Sequence, residues 1–105
     1  MKTAIYAGSF DPITNGHLWM IEKSSLIFDR LVVAVGVNPE KKCMFTEKER
    51  MEMMEEVVIG VAYTLDFSID KIMVTSFGSQ YLVDYASQRA IKYLVRGIRK
   101  YQGLS

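Results

Sequence analysis

Apolar positions along this chain change their spacing several times, and each change marks a new element. Ala4-Ile5-Tyr6-Ala7 is a short apolar run inside a strand expected over roughly residues 2 to 7. The polar, glycine-bearing stretch from Gly8 to Asn15 reads as a turn around Pro12. A helix is expected over roughly residues 16 to 28, with Leu18, Ile21, Ser25 and Phe28 near one face. Leu31-Val32-Val33-Ala34-Val35-Gly36-Val37 is an unbroken apolar run, the pattern of a parallel strand buried on both faces. Asn38 to Lys42 is a loop. Thr46-Glu47-Lys48-Glu49 has the spacing of a capping box, in which hydroxyl and carboxylate satisfy amides at a helix start. That helix is expected to end near residue 59, at about the spacing of an amphipathic helix. Met51, Met54, Val57 and Val58 mark its buried face, and Glu52, Glu55 and Glu56 its wet one. Residues 60 to 70 fit no single period. Lys71 to Thr75 is a third strand, Gln80 to Gln88 a helix with Leu82, Val83 and Tyr85 apolar, and Tyr93-Leu94-Val95 a fourth strand.

Strands that alternate with helices imply an α/β fold, a Rossmann-like parallel sheet of four or more strands with helices on both faces and right-handed crossovers. The length of 105 residues suits a single domain spanning 1–105. In open parallel sheets, functional loops gather where strands end. Four segments are expected there: residues 8 to 17, 38 to 42, 76 to 80 and 96 to 99.

Composition narrows the function. The formal net charge is +1, which gives no electrostatic case for long nucleic acid or an anionic membrane but permits a local cation cluster for a small phosphorylated ligand. Cys43 is the single cysteine and can form no internal disulfide; no Cys/His metal spacing exists, and no metal site is expected in the protein itself. Apolar runs are far shorter than a membrane span, and the N-terminal segment has no signal-peptide pattern. The expectation is a soluble cytoplasmic protein.

The densest chemistry is Gly8-Ser9-Phe10-Asp11-Pro12-Ile13-Thr14-Asn15-Gly16-His17. A strand, a glycine turn and a helix start form a site where backbone amides and the helix dipole face an anion. Gly8 and Gly16 permit close backbone approach. Ser9 adds a hydroxyl, and His17, the only histidine, an imidazole at the first helical turn. Asp11 with Pro12 reads as structural, a carboxylate that ties down a turn. Lys41 and Lys42 fit either solvated surface charge or neutralisation of a phosphate. Arg96 and Arg99 flank Gly97 past the fourth strand; arginine forks bind phosphate oxygens in a bidentate way, and a surface ion pair is the plainer alternative. Cys43 reads as a bystander, and the methionine-rich stretch Met51-Glu52-Met53-Met54 as core packing.

Together, Gly8 to His17, Lys41-Lys42 and Arg96-Gly97-Ile98-Arg99 resemble the nucleotidyltransferase superfamily with an HxGH-type motif. The form Thr14-Asn15-Gly16-His17, the run Met44 to Arg50 and Leu82-Val83-Asp84-Tyr85-Ala86 resemble the bacterial phosphopantetheine adenylyltransferases in particular. The likeness extends from residue 3 to residue 99. It implies transfer of AMP from ATP to 4′-phosphopantetheine, giving dephospho-coenzyme A and pyrophosphate, by direct in-line attack. It implies that His17 contacts the α-phosphate and that Ser9 holds the phosphates. Lys41 would orient the acceptor phosphate, Arg96 bind it, and Arg99 bind the ATP phosphates. Gly8, Phe10 and Gly16 would shape the nucleotide pocket, and Leu82 would line the pantetheine arm. Mg²⁺ would accompany ATP, and a homo-oligomer, a hexamer in that family, would be the assembly.

Four departures accompany the likeness. The family continues into a fifth strand and an Ile-Ser-Ser/Thr element, which this sequence does not match, so the chain reads as C-terminally short. Gly103 and Leu104 stand where the family has an Asp-aromatic pair. The stretch between Arg50 and Lys71 is longer than expected, and Gln80-Tyr81 replaces a small apolar pattern before Leu82, which narrows the expected channel. Three alternatives follow: a cytidylyltransferase for a polyol phosphate, a catalytically inactive module that binds phosphopantetheine or nucleotide, and an oligomer-forming remnant.

Overall fold

A computed structural model describes residues 1–78 and 82–96. Four strands alternate with helices: β1 (Thr3–Gly8), α1 (Asn15–Ile27), β2 (Arg30–Val37), α2 (Glu47–Leu65), β3 (Ile72–Gly78), α3 (Leu82–Gln88) and β4 (Tyr93–Val95), with one 3₁₀ turn at Ile69–Lys71 before β3. The strands form one sheet in the order β3-β2-β1-β4. All three pairings are parallel. This is the expected α/β architecture.

Why β2 reads as an apolar run is visible in its neighbours. It is a central strand, so both its faces are covered. Leu31, Val33 and Val35 join Ala4 and Tyr6 of β1, Ile21 of α1, and Met54, Val58 and Val61 of α2 in one core. Val32 and Ala34 point the other way, join Ile5, and are packed by Leu82 and Tyr85 of α3. Two helices therefore cover one face and one helix the other. Ile21 is fully buried, and trimming such a side chain to alanine costs about 2–5 kcal/mol.

α2 runs to Leu65, past the expected end near residue 59. Its buried positions continue as Met54, Val58, Val61 and Ala62, with Leu65 packed at the core margin. That regular face outweighs the helix-weakening Gly60, which faces open space. The helix stops where Asp66 turns left-handed at φ 58°. β3 also exceeds its expected span: Ser76, Phe77 and Gly78 pair with Val35, Gly36 and Val37, so the first part of the expected 76–80 loop is strand. Residues 79–81 lie outside the described residues.

The strand order fixes where a ligand can sit. From β1 the chain moves outward through β2 to β3, then returns to place β4 on the opposite side of β1. The order of strands reverses between β1 and β4, and the carboxyl end of the sheet at such a reversal is the binding position in open α/β folds.

Candidate active site

The loop after β1 folds back over its own strand. Phe10 adopts φ 49°, a left-handed backbone unusual for a residue with a side chain. Its ring lies in the core, 2% exposed. A Cβ on Gly8 would come within 3.1 Å of that ring, a tighter contact than side chains ordinarily make, so Gly8 lets Phe10 pack closely over the strand end. Gly16 differs: a Cβ there meets only Thr14 Oγ1 at 3.6 Å, an ordinary contact. The ring edge of Phe10 supports His17, with centroids 4.9 Å apart and planes at 82°. The Asp11-Pro12 peptide is cis.

His17 occupies the third helical position of α1, and its side chain completes a capping box with Thr14. The Thr14 backbone N–H donates to His17 Nδ1 at 3.0 Å, and the His17 backbone N–H donates to Thr14 Oγ1 at 3.3 Å. Because Nδ1 accepts, the proton of the neutral ring resides on Nε2. Burial pushes the imidazole pKa below the ordinary histidine value. The ring is therefore a neutral Nε2–H donor near pH 7. No acidic residue occupies the first turn of α1, which leaves its positive end uncompensated.

Lys41 follows β2 in the loop 38–46 and is exposed. Its Nζ lies 3.4 Å from Ser9 Oγ, joining two loops 32 residues apart in sequence. This contact brings together two of the expected site residues. Asn38 shapes the local turn: its side-chain oxygen accepts from the Glu40 N–H and its carbonyl from the Lys41 N–H.

Asp11 reaches much further than its own turn. One carboxylate oxygen accepts from the Met44 N–H at 2.6 Å, the other from the Phe45 N–H at 2.7 Å. Burial pushes its pKa up, but those two bonds, the Arg50 guanidinium and the Cys43 thiol outweigh it and leave the carboxyl below its ordinary value. Arg50 was not singled out from the sequence. It is 3% exposed, and its guanidinium donates to three carbonyls, those of Ser9, Gly36 and Phe45. A charged residue in a polar first turn gives no sequence signal of burial; the capping box, which places Arg50 one step beyond, was the available clue.

Arg96 leaves β4 exposed, one residue beyond the Tyr6–Val95 register pair, and so stands beside the carboxyl half of β1. Leu82 is half-buried at the start of α3 and packs on the second core, across the sheet from α1 and α2. Arg99 lies outside the described residues. Among the described residues, no group of three His, Cys, Asp or Glu side chains could hold a metal ion. Asp11, the carboxylate within the loop, has both oxygens engaged by backbone amides. A separate groove of about 960 Å³ opens at the other end of the sheet, between Leu31, Ile72 and Ile59, and none of the expected site residues lines it.

Known proteins resemble this chain in sequence and in fold. A family model described as cytidylyltransferase-like matches residues 5–104. A phosphopantetheine adenylyltransferase from Chromobacterium violaceum is 50% identical over 99 residues, which cover 94% of this chain and 56% of the relative. One from Clostridium kluyveri is 46% identical, covering 94% and 55%, and one from Neisseria meningitidis serogroup B is 39% identical, covering 93% and 53%. The chain thus spans just over half the length of these curated relatives. A solved bifunctional NMN adenylyltransferase/ADP-ribose pyrophosphatase from Francisella tularensis, complexed with AMP and manganese, superposes with TM-score 0.62 at 15% identity, over 95% of this chain and 38% of that one. At that identity the likeness speaks for the fold.

Proposed function

We propose, from the premise that this chain belongs to the cytidylyltransferase-like family, that it provides the phosphate-handling half of an adenylyltransferase, moving AMP from ATP to 4′-phosphopantetheine. The observations that carry this reading are the contact between Lys41 Nζ and Ser9 Oγ and, in the first turn of α1, a histidine whose engaged Nδ1 leaves the proton on Nε2. The names of the relatives supply the substrate class.

In this reading, a phosphate oxygen of 4′-phosphopantetheine attacks the α-phosphorus of ATP. The new P–O bond forms as the bond to the β-phosphate oxygen breaks, and pyrophosphate leaves with the electron pair. No proton need move to or from carbon, so the protein acts by positioning and by stabilising charge. His17 Nε2–H and the first-turn amides of α1 face the α-phosphate oxygens, where negative charge builds. Lys41 neutralises the approaching acceptor phosphate while Ser9 holds the phosphates. Arg96 and Arg99 bind acceptor phosphate and ATP respectively, Gly8, Phe10 and Gly16 shape the nucleotide side, and Leu82 lines the pantetheine arm. Mg²⁺ enters as part of the Mg·ATP substrate, held mainly by phosphate oxygens and water.

A cytoplasmic setting and self-assembly complete the reading. No helix among the described residues is long and apolar enough to cross a membrane. Trp19, Leu26 and Ile27 leave an exposed apolar face on α1, which further subunits of a homo-oligomer would cover.

Nucleotide selection tests the proposal. With 4′-phosphopantetheine as acceptor, ATP supports pyrophosphate release and CTP does not. Turnover with CTP and a polyol phosphate alone would assign the cytidylyltransferase alternative. The alternative reading is binding without turnover. It gives ligand-induced stabilisation with no pyrophosphate.

A further inference from the structure

We infer that Arg50 is a positioning residue that sets the distance between Ser9 and Lys41, acting from beneath the site together with Asp11. The inference rests on the phosphate-handling role proposed above.

Arg50 is the fourth residue of α2, on the same face as buried Met54 one turn later. Helical side chains lean toward the amino terminus, which carries this guanidinium past the start of α2 and under the strand ends. Nη1 donates to the Ser9 carbonyl at 2.9 Å and to the Gly36 carbonyl at 2.8 Å, and Nε donates to the Phe45 carbonyl at 3.2 Å. The three carbonyls belong to the loop after β1, the end of β2 and the segment entering α2. Asp11 makes the reciprocal link, from the first loop to the amides of Met44 and Phe45. The lysine loop is thus held at both ends: at Gly36, where β2 delivers it, and at Met44-Phe45, where α2 receives it. Lys41 lies between these anchors, and Ser9 carries one of the anchored carbonyls. Arg50 bonds to Ser9 through the backbone carbonyl, whereas Lys41 meets the hydroxyl. Bonds from a buried charged group are among the stronger ones, and truncation leaves carbonyls unpaired. A loop shift of about 1 Å at a reacting centre costs up to about 100-fold in rate.

The test is a double-mutant cycle between Arg50 and Lys41, read by pyrophosphate release and, independently, by affinity for inorganic pyrophosphate. Arg50→Gln lowers kcat about 10- to 100-fold with a smaller change in KM; in the Lys41→Ala background the same change costs less than about 3-fold. Asp11→Asn, which keeps the shape but can no longer accept both N–H bonds, loosens the same loop from the opposite side and shows the same non-additivity. It serves as the variant should Arg50→Gln unfold. Thermal melting of each variant reports stability separately. Fully additive losses in both cycles, tracking the melting temperature, would overturn the inference and leave Arg50 a fold-stabilising residue. A wild-type chain without turnover removes the adenylyltransferase reading alone, since the pyrophosphate-affinity cycle still decides for or against Arg50. A wild-type chain that also fails to bind pyrophosphate removes both.

Discussion

The Thr14 N–H donates to His17 Nδ1 at 3.0 Å, and that bond decides which nitrogen of the imidazole is free to act. A ring whose Nδ1 is engaged presents Nε2–H, and a second proton at Nδ1 would meet an N–H donor head-on. The capping box of α1 is thus also the device that sets the tautomer.

The amide variants separate the two nitrogens. Glutamine can place an N–H close to the Nε2 position, whereas asparagine reaches only the Nδ1 position. His17→Gln is expected to keep substantially more transfer activity than His17→Asn or His17→Ala. The last two should fall about 100- to 1,000-fold in kcat, the scale for losing one aimed donor. Steady-state pyrophosphate release compares the three. Equal losses in all of them would contradict the assigned tautomer.

Acid should destabilise the fold in two separable steps. Burial lowers the pKa of His17 from the ordinary 6.5, so the unfolded chain binds this proton more readily than the folded one. Its contribution is fully present above pH 6.5 and is lost as pH falls below that value. Asp11 likewise has a lowered pKa against an ordinary 3.8, so its contribution is present above that value and disappears further into acid. Urea denaturation at a series of pH values should show the upper step flattened in His17→Gln and the lower one in Asp11→Asn.

The two glycines of the first loop should respond differently to alanine. Gly8→Ala brings a methyl within 3.1 Å of the Phe10 ring, which is 2% exposed and enclosed by the core. A destabilisation of about 1–3 kcal/mol is expected, the range for overpacking. Gly16→Ala finds only the Thr14 hydroxyl oxygen at contact distance, so thermal stability should hold or rise slightly. If nucleotide approaches the backbone at Gly16, Kd for ATP rises in that stable variant. Melting curves and calorimetric titration of both variants check these outcomes.

Much of this fold was legible in sequence because its signals were local. The unbroken run from Leu31 to Val37 marked a parallel strand buried on both faces, and Thr46 with Glu49 gave the capping box, seen as two reciprocal bonds. The longer extents of α2 and β3 were not legible, because they depend on partners: Val61 and Ala62 face a core, and Ser76 to Gly78 pair with β2. The site showed the same division. Ser9 and His17 stood out by residue type and place, and Lys41 only through the family resemblance. Phe10 read as a loop residue and is core, Asp11 read as a local turn former and instead holds a distant loop, and Arg50, which gave no signal of its own, is buried. Each of these three depends on a neighbour that sequence spacing does not reveal.

The most direct test of the account is pyrophosphate release from ATP, Mg²⁺ and 4′-phosphopantetheine by this chain, with His17→Ala beside it. Release should depend on the acceptor and fall at least about 100-fold in the variant. No release from wild-type chain that nevertheless binds ATP, or release untouched by loss of His17, would contradict it.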